Sequence, residues 1–347
     1  MNKKELSKLL KEKQRRSKIK DYEHNFTRFA EEQIQIVTKD VSRGFVPFKF
    51  NEAQQIITEK LEEQKNATGK VRAIILKARQ QGISTYCAGR VFWKSYYTPH
   101  SRSVVMAHDS ATSDALFAMS KNLIRNMEGN LAPNEIRSNA KEIIINSPAM
   151  RDGATDKDAT ASYRLYTAGS PEAGRGTTPT IAHCSEVAFW QHDEKILAGL
   201  FQGISQADGT EVILESTANG AQGEFYRLWK GAEMGENEYL PIFLPWYITP
   251  EYTREPPENM ELTVEEEKLR DKHDLTDGQL YWRRLKIAEG GELKFKQEYP
   301  STADEAFIMS GSNVFNLERL DSLVPQAYER RSEWDPSSKM FDENKEG

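Results

Sequence analysis

Val71-Arg72-Ala73-Ile74-Ile75 runs directly into Leu76-Lys77-Ala78-Arg79-Gln80-Gln81-Gly82-Ile83-Ser84-Thr85, and Tyr86-Cys87-Ala88-Gly89-Arg90-Val91-Phe92-Trp93-Lys94 follows. The first run is short, apolar and rich in β-branched residues, and it reads as a buried strand; the last reads as a helix. Strand, tight loop, helix is the setting of a phosphate-binding loop, because loop amides and a helix N-terminus attract anions. Against the pattern G-x-x-x-x-G-K-[ST] the match is partial. Lys77 stands where the first glycine belongs, Gly82 and Ser84 fit, and Ile83 replaces the lysine. Two readings stay open. The loop is a plain strand-to-helix turn with solvated charges, or a phosphate site whose cation comes from Lys77 or Arg79 at its front.

Around this stretch, apolar runs alternate with helical ones. Residues 103–108, 180–184 and 211–215 read as buried strands, 142–146 and 162–167 as weaker ones, and 239–246 adds another. Asn51 is a helix N-cap candidate for a helix to about residue 63, with a turn over 65–70. Helices are also expected over 110–127 and 223–234. This alternation predicts an α/β protein with a mostly parallel sheet covered on both faces. Residues 3–38 are polar and helix-compatible, 263–289 form a charged amphipathic helical region, 293–315 a smaller segment, and periodicity is lost from Asp321 onward. The expected organisation is a basic helical extension over 1–44, a core over 45–250, an α-rich lid or linker over 251–320, and a polar linker over 321–347.

A chain of 347 residues suggests about two domains, or one large α/β core with appendages. Hydrophobic residues at 38% and charged ones at 29% place it among soluble globular proteins rather than membrane or disordered ones. No apolar run approaches the ~20 residues that span a bilayer, and no signal segment opens the chain. The two cysteines, Cys87 and Cys184, fall in expected core elements, which argues against a disulfide framework or zinc site and for a reducing, intracellular setting. The net charge of −6 hides a basic leader: residues 1–20 carry nine Lys/Arg against two Glu. Such a leader either meets nucleic-acid phosphates or is a solvated helix.

In open α/β sheets ligands sit beyond the carboxyl ends of the strands, and several such ends carry chemistry here. Gly82 permits close approach of a phosphate, and Ser84, or less directly Thr85, offers a hydroxyl to magnesium. Glu186, just past the 180–184 strand, can polarise an attacking water; its plain alternative is a turn cap. Ser185 holds the place before it, where an aspartate is expected to hold magnesium, and its hydroxyl could still reach a magnesium-bound water. Arg175 lies in a glycine-flanked loop and suits an arginine finger, or is a surface turn residue. Ser216-Thr217-Ala218-Asn219-Gly220 places small polar groups where a γ-phosphate sensor would sit, although Asn-Gly also simply makes a turn. His183 reads as a core histidine, and Trp190, Trp229 and Trp246 as packing residues.

Together these residues resemble the ATPase region of the large terminase subunit of tailed phages, over about residues 45–315. That family uses a variant loop, Arg-Gln-x-Gly-x-[Ser/Thr], and Arg79-Gln80-Gln81-Gly82-Ile83-Ser84 fits it, with Lys77 as a lysine moved to the front. Ile181-Ala182-His183-Cys184-Ser185-Glu186 is similar to its strand ending in a catalytic glutamate, and Ser216-Thr217-Ala218-Asn219-Gly220 to its coupling motif. Phe50 and Gln54 stand where the family contacts adenine, and residues 297–307 resemble the segment closing the region.

The resemblance implies a P-loop NTPase sheet of RecA-like (ASCE) type, with ATP and Mg²⁺ as ligands. Glu186, Arg175 and Arg79 are then the catalytic residues. Lys77, Arg79, Gln80, Gln81, Gly82, Ile83, Ser84, Thr85, Phe50, Gln54, Ser216, Thr217 and Asn219 bind nucleotide, and Ser84 and Ser185 attend the metal. It further implies double-stranded DNA, a small terminase subunit and a portal or procapsid as partners, and a homo-oligomeric ring in which Arg175 serves a neighbour. The setting would be the cytoplasm of an infected bacterial host. Ile83 and Ser185 depart from the usual pattern, and the nuclease domain that follows in full-length members is not expected within these residues. The rival expectations are a helicase-like DNA-dependent ATPase and a non-hydrolysing DNA or portal docking module.

Overall fold

The computed structural model describes residues 3–38, 41–127, 129–153, 158–169, 176, 178–307, 332–335 and 340–343. The chain divides into two compact units, Met1–Ser310 and Gly311–Gly347. Described within the second is one antiparallel hairpin, Ser332–Asp335 paired with Met340–Glu343.

In the first unit the chain enters through helices α1 (Lys3–Glu23) and α2 (Phe26–Gln33) and a short antiparallel pair, β1 (Gln35–Val37) with β2 (Phe45–Pro47). Most of α1 is exposed, but Ile19 and Tyr22 are buried, as are Phe26, Phe29 and Ile34 after it. These side chains join the core beside Phe92, Trp93 and Tyr96, so the leader is anchored by its aromatic end while its lysines face water.

Helix α3 (Glu52–Thr68) begins at Asn51, whose side chain accepts from Gln54 N while Gln54 returns a bond to Asn51 N. This reciprocal cap satisfies two otherwise orphaned amides. The helix continues to Gly69 (φ 75°) and therefore occupies most of the stretch expected to be a turn. Strand β3 (Val71–Lys77) follows, buried at every position, then α4 (Ile83–Tyr97), β4 (Arg102–Ala107) and α5 (Ser110–Arg125). Next come β5 (Asn134–Ser138), β6 (Glu142–Asn146), the short α6 (Pro148–Gly153), β7 (Ala161–Thr167), β8 (Ile181–Ser185) and α7 (Asp193–Gly203). The core closes with β9 (Glu211–Ser216), α8 (Gly223–Glu233) and β10 (Leu240–Leu244).

These strands form one eight-stranded sheet in the order β10-β3-β9-β8-β4-β7-β6-β5, parallel from β10 to β7 and antiparallel at the β6 and β5 edge. Continuous apolar runs suit strands buried on both faces. Ala73 and Ile75 pack into the cluster with α4, whereas Ile74 and Leu76 face the opposite cluster with α7 and α8. The fold class expected from the alternation is the one observed.

Register decides what meets at the carboxyl edge. Leu76 pairs with Ser216, Lys77 with Leu244, and Ser185 with Glu215. Because β9 lies between β3 and β8, the ends of three strands distant in sequence come level there.

Four further helices follow among the described residues of this unit: α9 (Val264–His273), α10 (Asp277–Gly290), α11 (Glu292–Glu298) and α12 (Ala303–Phe307). Trp246, Tyr252, Trp282 and Phe295 form a third apolar cluster with Ala78 of the loop, and the Tyr252 and Trp282 rings stack at 4.5 Å. No helix among the described residues is long and apolar enough to cross a membrane.

Candidate nucleotide site at the strand ends

The loop after β3 is braced from both sides. Gln81, 2% exposed, accepts from Ala78 N at 3.1 Å and donates to Pro245 O at 2.8 Å and Thr249 Oγ1 at 3.2 Å. Asn51 donates to Gln81 O at 3.1 Å and Gln54 to Gly82 O at 2.9 Å. Gly82 has φ 74°, and a Cβ there would sit 2.8 Å from Gln54 Nε2. The positive φ favours glycine, and a Cβ would push the Gln54 amide off its bond to Gly82 O. Gln80 also adopts positive φ (57°), a conformation uncommon outside glycine that signals a tightly specified turn. Gly82 is the N-cap of α4 and offers no side chain to the helix amides behind it, which leaves them available to an anion.

Lys77 extends from the last position of β3 and is 6% exposed. Its Nζ donates to Glu186 Oε1 at 2.8 Å and lies 3.0 Å from Glu215 Oε2. Burial opposes its charge, but Glu215 and Glu186 outweigh that, so its pKa stands above the ordinary lysine value. Glu186 has φ 54°, a left-handed conformation that a glutamate rarely adopts and that costs of order 1–3 kcal/mol. The turn carries its carboxylate back over the sheet edge, where Oε2 lies 3.4 Å from both Thr217 N and Ser216 Oγ.

Glu215 is fully buried. Its Oε1 accepts from Ser84 Oγ at 3.0 Å and lies 3.3 Å from His183 Nε2. Burial would raise its pKa; Lys77 and His183 prevail and hold it well below the usual carboxylate range. Ser185 Oγ is buried without a hydrogen-bond partner.

Several expected site residues thus converge: Lys77, Gly82, Ser84, Ser185, Glu186, Ser216 and Thr217. Thr85 follows Ser84 on the first turn of α4, half-buried, and Asn219 is nearby but donates to Ala188 O at 3.0 Å. Others are placed elsewhere. Arg79 points outward, 55% exposed at its side chain, and pairs with Glu298 at 3.1 Å. Phe50, expected beside adenine, is 7% exposed and packs against Phe26, Phe48 and Tyr86; its ring belongs to the core because that burial outweighs any gain at the surface. Ile83 is buried, so only its backbone faces the loop. Arg175 lies outside the described residues.

Glu215 is the residue at this edge that strand-end reasoning passed over. Its signal was a carboxylate inside an apolar parallel strand, which demands a buried partner. The hydroxyls of Ser84 and Ser185 with the carboxylates of Glu186 and Glu215 form a hard oxygen set suited to magnesium. Among the described residues no group of three or more His, Cys, Asp or Glu could hold a metal ion.

No protein-family model matches the sequence, and no curated protein does. Solved structures do resemble the fold. The large terminase ATPase domain of Thermus phage P74-26 matches at 18% identity over 75% of this chain and 94% of that one, with a TM-score of 0.50. The large terminase of bacteriophage HK97 matches at 13% identity, covering 82% of this chain and 55% of that one, with a TM-score of 0.54. At such identities the likeness concerns architecture, and the architecture of this chain is that of phage large terminase ATPase domains.

Proposed function

We propose that the chain is the ATP-hydrolysing motor domain of a phage large terminase, moving double-stranded DNA into a procapsid. The observation that carries this reading is the meeting of Lys77 with Glu186, 109 residues apart in sequence, beside a glycine loop that opens a helix. An ammonium, a carboxylate and uncapped helix amides at one strand edge suit phosphoryl transfer to water, where positioning and charge stabilisation supply most of the rate. The fold shared with terminase ATPase domains adds to it.

In this reading the amides over 80–84 and the Lys77 ammonium bind the triphosphate, and Ser84 holds the accompanying magnesium; the Arg79 amide is already given to Glu298 O at 2.9 Å. That cation, when bound, neutralises charge on the phosphates. Glu186 orients the attacking water. Lys77 now neutralises Glu186; a bound phosphate competes for the same ammonium and releases the carboxylate to accept a proton. Thr217, whose amide already faces Glu186, and Asn219 report the γ-phosphate to the rest of the domain. Arg79 guards the loop rim. Arg175 completes a neighbour's site within a ring, and DNA, a small terminase subunit and a portal are the partners.

The test is phosphate release from ATP at high chain concentration, with and without duplex DNA, alongside a strand-separation assay. Release stimulated by DNA without unwinding supports a packaging motor, and unwinding favours a helicase-like ATPase. Tight DNA binding with neither nucleotide binding nor release would overturn the ATPase reading in favour of a docking module.

A further inference from the structure

We infer that Glu215 is the carboxylate that positions the divalent cation of a bound nucleotide, acting through the hydroxyl of Ser84. The inference rests on the proposal that this site binds a nucleoside triphosphate. Ser185, at the end of β8, carries no charge, but its register partner across the β8–β9 pair is Glu215. The carboxylate missing from one strand is therefore present at the same level on the next, one strand nearer the phosphate loop.

Three observations single out Glu215. First, Ser84 Oγ donates its proton to Glu215 Oε1 at 3.0 Å. A hydroxyl whose proton is held by a carboxylate turns its lone pairs away from it, and the charge behind makes the oxygen a better cation ligand. Second, Lys77 faces two carboxylates, at 2.8 and 3.0 Å. A site for a polyanion gains nothing from a second buried negative charge unless a further cation arrives with the ligand. Third, Ser185 Oγ, 1% exposed and without a hydrogen-bond partner, lies on the same face of β8 as His183, which contacts Glu215. A buried hydroxyl is seldom left unpaired in a finished structure, and a cation-bound water would satisfy it. A counter-ion serving Lys77 alone accounts for the ion pair and for the Ser84 bond, but not for the unpartnered Ser185 hydroxyl.

The experiment uses the whole chain with a non-hydrolysable ATP analogue and Mn²⁺ in place of magnesium. Analogue affinity is measured in excess chelator, and Mn²⁺ affinity by electron paramagnetic resonance at saturating analogue. Glu215→Gln should weaken Mn²⁺ binding by about 10–100-fold while leaving metal-free analogue affinity unchanged or tighter. Glu215→Asp keeps a carboxylate but shortens its reach to Ser84 and to Lys77 alike; it should also weaken Mn²⁺ binding. Mn²⁺ affinities within about twofold of the unsubstituted chain for both variants would reduce Glu215 to a counter-ion and overturn the inference. Failure of the unsubstituted chain to bind the analogue, with or without Mn²⁺, would instead overturn the nucleotide reading and this inference with it.

Discussion

Replacing Lys77 with methionine removes the ammonium between Glu186 and Glu215 while keeping an unbranched side chain in its slot. At 2.8 and 3.0 Å and an effective dielectric near 20, each carboxylate attracts it by roughly 6 kcal/mol. Water exclusion around Lys77 and Glu215 offsets most of this, and the exposed flank of Glu186 screens its share further. What remains on breaking a buried pair from one side is about 3–5 kcal/mol, because Glu215 is left charged with its strongest partner gone. For a urea slope near 3 kcal/mol/M, the unfolding midpoint of Lys77→Met should fall by about 1–2 M. Adding Glu215→Gln removes the stranded charge, so the double variant should be more stable than Lys77→Met alone by about 1–3 kcal/mol. Urea titrations followed by tryptophan fluorescence give all four corners of the cycle. A Lys77→Met midpoint indistinguishable from the parent, or losses that simply add, would refute the buried triad as drawn.

The other predictions concern the loop rim and the helical segment beyond it. Arg79 faces outward onto Glu298 whereas Lys77 lies in the site, so Lys77→Ala should weaken nucleotide binding about tenfold or more than Arg79→Ala does, a gap of ~1.4 kcal/mol; equal losses by titration calorimetry would return Arg79 to the phosphates. Glu266 accepts from Arg284, and its pKa falls from 4.5 to about 2, chiefly through those hydrogen bonds. A depressed folded pKa stabilises above the unfolded value and is lost on acidification. The thermal deficit of Glu266→Gln should therefore be full at neutral pH and shrink between pH 4.5 and about 2; a deficit independent of pH would discount the pairing.

The strand ends were legible because their pattern is one-dimensional: a continuous apolar run followed by small or charged residues marks a buried parallel strand and its functional edge. Gly82, Ser84, Glu186 and Thr217, which that pattern picks out, lie together at this edge. Glu215 is not picked out, since its role depends on β9 lying between β3 and β8, and strand order is not written in any local run. Strand β5 escaped for the opposite reason: it is an edge strand exposed along its whole length, so no burial pattern marks it. Phe50 was misplaced because an aromatic before a helix looks alike whether it stacks on a ligand or packs inward. Here Phe26, 24 residues upstream in what read as a polar leader, supplies part of the core that claims it. The bracing of the loop by Thr249, Tyr252 and Glu298 joins segments far apart in the chain and had no sequence signal.

That Glu186 activates water at a phosphate held beside Lys77 is tested most directly by single-turnover phosphate release from ATP with Glu186→Gln at high chain concentration and duplex DNA present. The amide keeps the shape of the side chain and its contact with Thr217 but cannot take a proton. Release should fall by about 10²–10⁴-fold while ATP affinity, measured in parallel, is retained or increased as Lys77 is freed for the phosphates. Turnover close to that of the parent would contradict the assignment of Glu186.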